Sequence, residues 1–324
     1  MAETLLEIKN LKKYFKTKKG MLHAVDDVSF AINKGETLGL VGESGCGKST
    51  IGRVILRLLE ATGGEVLFNG VDITKLHKAE MKKIRREMQI VFQDPYASLD
   101  GRKNIFESIG EPIRVQKAYK SKQEYEKRIF ELMDTVGLAR RLANAYPHEL
   151  DGGRRQRVGV ARALSLNPSF MVLDEPVSAL DVSIQAQIIN LMEELQKNLG
   201  LTYLFISHDL SVVKHISSRI AVMYLGKLVE LSDYRSIFSA PMHPYTQALL
   251  SAVPIPKLDV KRDRIILEGD VPSPIEPKPG CRFAGRCHYS TELCRRETPE
   301  LREMAEGHLV ACHFAGQIKG SGIY

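Results

Sequence analysis

Residues 42–50 read Gly42-Glu43-Ser44-Gly45-Cys46-Gly47-Lys48-Ser49-Thr50. This is G-x-x-x-x-G-K-[ST] with a second hydroxyl behind it. A short apolar run, Thr37–Val41, precedes it, and a helix-like run, Ile51–Leu59, follows. Strand, glycine loop and helix form the context in which this pattern grips phosphate. Glycines let backbone N–H groups turn inward on phosphate oxygens, and the helix N-terminus adds positive potential. Lys48 is expected to reach the β- and γ-phosphates and Ser49 to hold Mg²⁺. The loop, from Gly42 through Ser44, Gly45, Cys46 and Gly47 to Thr50, is thus a candidate binding site for a nucleoside triphosphate.

A second element fits the first. Phe170-Met171-Val172-Leu173-Asp174-Glu175 is an apolar strand ending in two carboxylates. A strand-end carboxylate suits a water-mediated Mg²⁺ ligand, which assigns Asp174. Glu175 beside it suits a general base for the attacking water. Such carboxylates are more often simple caps; the glycine loop makes the pair informative.

The chain has 324 residues, enough for one large domain or two smaller ones. Apolar stretches such as Ile188–Met192 and Tyr203–Ile206 are too short to span a bilayer. Met1–Asn10 has no signal-peptide pattern, so a cytoplasmic location is expected. The formal charge of +7 is modest. It reads as a solvated basic surface or, less simply, as a face for nucleic acid or anionic lipid. No basic block with interleaved aromatics stands out, and no nucleic-acid partner is expected.

The first 70 residues look β-rich, with strands expected over Leu5–Leu11, Ala24–Ile32 and Glu65–Phe68. Leu99 to Leu166 reads helical. A strand over Phe170–Leu173, a helix over Ile184–Asn198 and a strand over Thr202–Ser207 alternate as in a parallel sheet. Ile220–Tyr224 and Lys227–Leu231 suit a hairpin around Leu225-Gly226. Six of the fourteen prolines fall between Pro254 and Pro279, which suggests an extended segment that wraps or links.

Taken together, these motifs resemble the ATP-binding subunits of ABC transporters, in the family's order and along the whole chain. Gln93, in Val91-Phe92-Gln93-Asp94, matches the Q-loop glutamine, which in the family meets Mg²⁺ and the membrane partner. Leu150-Asp151-Gly152-Gly153-Arg154-Arg155-Gln156-Arg157 occupies the signature position. Ser178-Ala179-Leu180-Asp181 matches the D-loop. His208, in Ile206-Ser207-His208-Asp209, matches the switch histidine at the γ-phosphate. The aromatic that stacks on adenine aligns with Phe15, or else with Tyr14. The resemblance implies an α/β fold: a P-loop NTPase (RecA-like) parallel-sheet core with an N-terminal antiparallel β subdomain, an inserted α-helical subdomain and a C-terminal extension. The expected boundaries are 1–98 and 161–240 for the core, 99–160 for the helical part and 241–324 for the extension. It also implies catalysis by Glu175, His208 and Gln93, and nucleotide contacts from Asp151, Gly152, Gly153 and Asp181. ATP would lie between one subunit's glycine loop and its partner's signature helix.

The signature departs from the family's Leu-Ser-Gly-Gly-Gln, with Asp151 for Ser and Arg154 for Gln. A carboxylate there faces another anion; two unit charges 4 Å apart repel by roughly 4 kcal/mol at an intermediate dielectric. Arg154 or Arg155 could neutralise it. The departure suggests an asymmetric heterodimer with one weaker site.

Cys281, Cys287, Cys294 and Cys312 crowd the chain's end, with five, six and seventeen residues between them. In a reducing compartment this suggests metal rather than disulfides. Zinc usually uses knuckles of about two to four intervening residues, and none is present. An iron–sulfur cluster, zinc and free thiols all remain open on chemistry alone. The tail resembles oligopeptide and dipeptide permease ATPases through His243-Pro244-Tyr245-Thr246-Gln247-Ala248-Leu249-Leu250, Gly269-Asp270-Val271-Pro272-Ser273-Pro274 and Gly280-Cys281-Arg282-Phe283-Ala284-Gly285-Arg286-Cys287. The match looks closest to the second ATPase of a dipeptide system. That resemblance implies a [4Fe–4S] cluster on the four cysteines. It also implies peptide uptake at the cytoplasmic face with a second ATPase, two membrane permeases and an extracytoplasmic peptide-binding protein. The alternative from another class is a soluble ABC ATPase acting on ribosomes or nucleic acid.

Overall fold

The computed structural model describes residues 3–253 and 264–318. In chain order these form β1 (Thr4–Thr17), β2 (Gly20–Asn33), β3 (Thr37–Val41), α1 (Lys48–Ile55), β4 (Gly63–Phe68) and β5 (Val71–Asp72). Next come α2 (Lys78–Glu87), β6 (Met88–Val91), α3 (Ile105–Val115), α4 (Lys122–Thr135), α5 (Gly152–Leu164), β7 (Phe170–Asp174), α6 (Val182–Leu199) and β8 (Thr202–Ser207). The remainder is α7 (Leu210–Ile216), β9 (Arg219–Tyr224), β10 (Lys227–Asp233), α8 (Tyr234–Ser239), α9 (Pro244–Ser251), α10 (Glu292–Arg296), β11 (Arg302–Ala305) and β12 (His308–Val310).

Two compact units emerge. One holds Lys75–Ile206 with Asn33–Glu36; the other holds Thr4–Ile32, Thr37–Thr74 and the described residues from Ser207 onward.

In the first unit β6, β7 and β8 run parallel, with Val91 opposite Leu173 and Leu173 opposite Phe205. Every residue of β7 and β8 is buried. Unbroken apolar runs are what a strand covered on both faces requires. The stretch expected to be helical from Leu99 is broken up. Gly137 turns the chain at φ +70° after α4, and Pro147 opens a short 3₁₀ turn before α5.

In the second unit β2, β1, β4 and β5 form an antiparallel sheet in that order, with Leu6 opposite Phe68 and Ile8 opposite Val66. The strands β1 and β2 are much longer than their apolar cores suggested. β3 lies parallel to β9, and β9 turns back as β10 through Leu225 and Gly226, both at positive φ. β12 then adds to β10, and β11 to β12. The expected parallel pairing holds for β6, β7 and β8 and for β3 with β9, and the expected hairpin for β9 and β10; the arrangement is mixed because β10, β12 and β11 add antiparallel. The last hairpin carries no strong alternation and was not expected.

The proline-rich segment lies partly outside the described residues. Its described part lies along β2: the Ile275 backbone bridges Leu22, and the His23 N–H donates to the Pro274 carbonyl at 2.9 Å.

Candidate nucleotide site

The glycine loop connects β3 to α1 as its residue types require. Gly42 and Gly47 hold φ of +153° and +105°. A Cβ on Gly42 would lie 2.2 Å from the Met223 carbonyl oxygen, and one on Gly47 2.0 Å from that of Ala24. Only glycine fits either place. Gly47 is also the N-cap of α1 and offers no side chain to the helix's first N–H groups. Those donors face outward as an anion site. α1 starts at Lys48 rather than Ile51 and stops earlier than expected, where Arg57 takes φ +49°.

Lys48 is 4% exposed. Its ammonium donates to the carbonyls of Gly42 (2.8 Å) and Glu43 (3.0 Å), so the buried charge is satisfied by the loop itself. Cys46 is buried, and that burial raises its thiol pKa against the pull of Lys48. Ser49 and Thr50 are half-buried on the first turn of α1, while Ser44 and Gly45 are exposed.

Tyr14 and Phe15 differ in their surroundings. The Tyr14 hydroxyl donates to Asp26 at 2.5 Å, and its ring stacks on His23 with centroids 3.9 Å apart. The Asp26 N–H donates to the Gly226 carbonyl, and the Gly226 N–H donates to the Cys46 carbonyl. Tyr14 is thereby chained to the glycine loop. Phe15 carries the Lys13 ammonium 4.8 Å from its ring centre. His208 is exposed just beyond β8.

In the first unit, Asp174 ends β7 at 2% exposure. Glu175 follows at φ +48°, a left-handed conformation that costs a non-glycine residue about 1–3 kcal/mol. Such strain aims a side chain where the strand's pleat would not. Gln93, just past β6, donates its side-chain amide to the Glu175 carboxylate at 2.9 Å. The structure thus brings together two of the three expected catalytic residues.

At the signature, Asp151 is the N-cap of α5 and accepts the Arg154 N–H at 2.7 Å. The Arg154 guanidinium lies 3.4 Å from the same carboxylate. Asp and Ser are about equally good N-caps, so the helix tolerates the exchange. Gly152 and Gly153 follow against Leu180 and Ile184; a Cβ on Gly153 would lie 2.7 Å from Ile184 Cγ2. Asp181 is the exposed N-cap of α6 and makes no side-chain cap bond.

The expected four-cysteine metal site, iron–sulfur or zinc, finds no support in the placement of side chains. Among the described residues, no group of three or more His, Cys, Asp or Glu side chains is placed to hold a metal ion. Cys281, Cys287, Cys294 and Cys312 nevertheless line one small, almost wholly apolar cavity with Phe283 and Phe314. None is in a disulfide. Burial pushes the Cys281 thiol up to about 11, and the other three cysteines push the same way.

Some residues of this region escaped sequence reasoning. Arg286 reaches Glu43 of the glycine loop at 2.8 Å, and Arg282 pairs with Asp26. Glu230, fully buried in β10, accepts the N–H groups of Met242 and His243 and contacts His308 at 2.7 Å. A carboxylate inside the apolar run Lys227–Leu231 was the available signal, since a buried charge demands partners.

Residues 25–178 match the ABC transporter family, and residues 229–294 match the oligopeptide/dipeptide transporter C-terminal region. The chain is 53% identical over 322 residues to the oligopeptide transport ATP-binding protein AppF of Bacillus subtilis, covering 96% of this chain and 98% of that one. It is 54% identical over 313 residues to OppF, the oligopeptide transport ATP-binding protein of the same organism, covering 96% and 97%. Among solved structures it is similar to a dimeric ATP-binding cassette in a post-hydrolysis state bound to ADP and Pi. That likeness has a TM-score of 0.66 and 31% identity, over 71% of this chain and 99% of the other.

Proposed function

The chain belongs to the ABC transporter family of ATP-binding subunits, in its oligopeptide branch, and from that premise we propose how its residues work. It is the ATP-binding subunit of an oligopeptide importer, a transport-coupled ATPase that dimerises and serves membrane permeases. The observation that carries the reading is the glycine loop with its buried lysine and uncapped helix start. Two of the relatives that match end to end bear oligopeptide names and others are named for peptide import, while the C-terminal region matches an oligopeptide/dipeptide model, so the cargo class is peptide. The ribosome or nucleic-acid alternative has no support.

Loop amides and Lys48 hold the phosphates. Ser49, Asp174 and Gln93 are the residues that would hold Mg²⁺, which supplies charge neutralisation on the phosphate oxygens. Tyr14, chained to the loop through Asp26, or Phe15 stacks on adenine. Glu175, steered by its left-handed backbone and held by Gln93, takes a proton as water attacks the γ-phosphorus and the bond to ADP breaks. His208 contacts the γ-phosphate. Asp151, Gly152 and Gly153 meet the nucleotide of the partner, with Asp181 beside the shared interface. Among the described residues no helix is long and apolar enough to cross a membrane. On the family reading, permeases supply the path, a second and different ATPase completes the pair, and an extracytoplasmic peptide-binding protein delivers cargo. The assembly sits at the cytoplasmic face.

For the four cysteines the reading is a [4Fe–4S] cluster rather than zinc. What supports the reading is that Cys281, Cys287, Cys294 and Cys312, none in a disulfide, line one cavity and would hold the cluster. Anaerobic purification should yield about four irons and four sulfides per chain; stoichiometric zinc would reject the cluster. For the transport reading, vesicles with the reconstituted transporter should take up an oligopeptide only when supplied with ATP and this chain. Uptake without the chain would reject it.

A further inference from the structure

The short stretch between Cys281 and Cys287 reaches two parts of the candidate nucleotide site within its own unit. Arg286 is only 9% exposed and donates to the Glu43 carboxylate at 2.8 Å and to the Tyr224 hydroxyl at 3.4 Å. Glu43 is the second residue of the glycine loop. Its carbonyl accepts from Lys48, and its N–H donates to the Tyr245 hydroxyl at 2.9 Å. Arg282, four residues earlier, pairs with Asp26 and donates to the Leu225 carbonyl. Asp26 holds Tyr14, and the amide of Gly226, next to Leu225, holds Cys46. Phe283, between the two arginines, is 2% exposed and packs on Tyr224 and Tyr245 at centroid distances of 5.2 and 5.4 Å. The stretch therefore cannot tilt without moving both arginines together.

We infer that this stretch is a brace, acting within one chain, on the nucleotide site, in which Arg286 positions the glycine loop and Arg282 positions the Tyr14 strand. The inference rests on the nucleotide reading above and extends it: a tail segment remote in sequence sets the loop's shape. Charge-assisted bonds fix direction as well as distance; Arg282 donates from two nitrogens to two acceptors, and Arg286 donates from one nitrogen to the Glu43 carboxylate and the Tyr224 hydroxyl. The cysteines at both ends of the stretch make the brace only as rigid as their own packing.

The test is equilibrium titration of the purified full chain with ATP·Mg, with thermal unfolding measured alongside. Variants are Glu43→Gln, Arg286→Ala, Arg286→Lys and the Glu43→Gln/Arg286→Ala double. Each single neutralisation should weaken ATP about tenfold, as loss of a charge-assisted bond does. The double should be no weaker than either single, because both remove one interaction. Arg286→Lys should recover part of the loss. Glu43→Gln, isosteric and partly exposed, decides the matter should Arg286→Ala fail to fold. Wild-type affinity in folded variants, or additive losses, overturns the brace alone. A wild-type chain that binds no ATP overturns the nucleotide reading and the brace with it.

Discussion

The glycine loop shapes itself with atoms close in sequence. Lys48 donates to carbonyls five and six residues back, and glycines at 42 and 47 supply the turns. The cysteine tail does the opposite. Arg286 reaches back 243 residues to Glu43, Arg282 reaches back 256 to Asp26, and His308 reaches back 78 to Glu230. The loop binds through backbone groups that every residue owns, so spacing alone reveals it. The tail acts through side chains whose partners only the fold supplies. Local chemistry is the part of a site that a motif can announce; its support is the part that a motif leaves out.

The largest effect should come from breaking the local half. Gly47→Ala puts a methyl 2.0 Å from the Ala24 carbonyl oxygen at a φ that alanine avoids. ATP affinity should fall at least about 100-fold by titration, as the loop's amides lose their alignment. Gly45→Ala shares the backbone strain, at φ +79°, but has open space around it, so it should lose much less. Equal losses would mean that the clash is not what sets the loop.

A smaller effect tests the distant half. His243 is the buried N-cap of α9; its ring Nδ1 accepts the Tyr245 N–H, and its backbone N–H donates to the Glu230 carboxylate. Burial lowers its pKa from 6.5 to about 4, against the opposing pull of Glu230. Between those values the unfolded chain binds a proton that the folded chain does not. Stability should therefore be full above pH 6.5 and fall as pH drops toward 4, by up to about 1.4 kcal/mol per unit. His243→Asn, which keeps a capping side chain, should flatten that slope in denaturant unfolding at pH 7 and 5. An unchanged slope would place the titration elsewhere.

The smallest effect sharpens the comparison, because it lies in a motif that departs from its family. Asp151 caps α5 and pairs with Arg154 in an exposed setting, where such pairs contribute little. Asp151→Ser with Arg154→Gln should leave unfolding within about 0.5 kcal/mol, since the cap is kept. On the proposed reading, in which this carboxylate meets the partner's nucleotide, the same exchange should also raise turnover of the reconstituted pair several-fold. Unaltered turnover would show that the departure is silent and remove the case for an asymmetric pair.

Legibility followed the same division. β3, β7 and β8 were readable because runs buried on both faces are apolar throughout, and Asp174, Glu175 and His208 followed from where those strands end. The left-handed turn at Glu175 was not readable, because nothing in Asp174-Glu175-Pro176 requires it. Nor was the hairpin of β11 and β12, whose short, largely polar strands gain their place by pairing with β10. The helical reading of residues 99–166 overshot, since Gly137 and Pro147 interrupt a pattern whose apolar spacing otherwise continues. The four cysteines were visible as a cluster, but the arginines between them became visible only through Asp26 and Glu43.

The most direct measurement is ATP binding and ATP turnover by Glu175→Gln beside the wild type, in the reconstituted transporter. The account predicts ATP affinity within about twofold of wild type and turnover lower by at least about 100-fold, the scale of a lost general base. Undiminished turnover would contradict the assignment of Glu175 and, with it, the mechanism built on the end of β7.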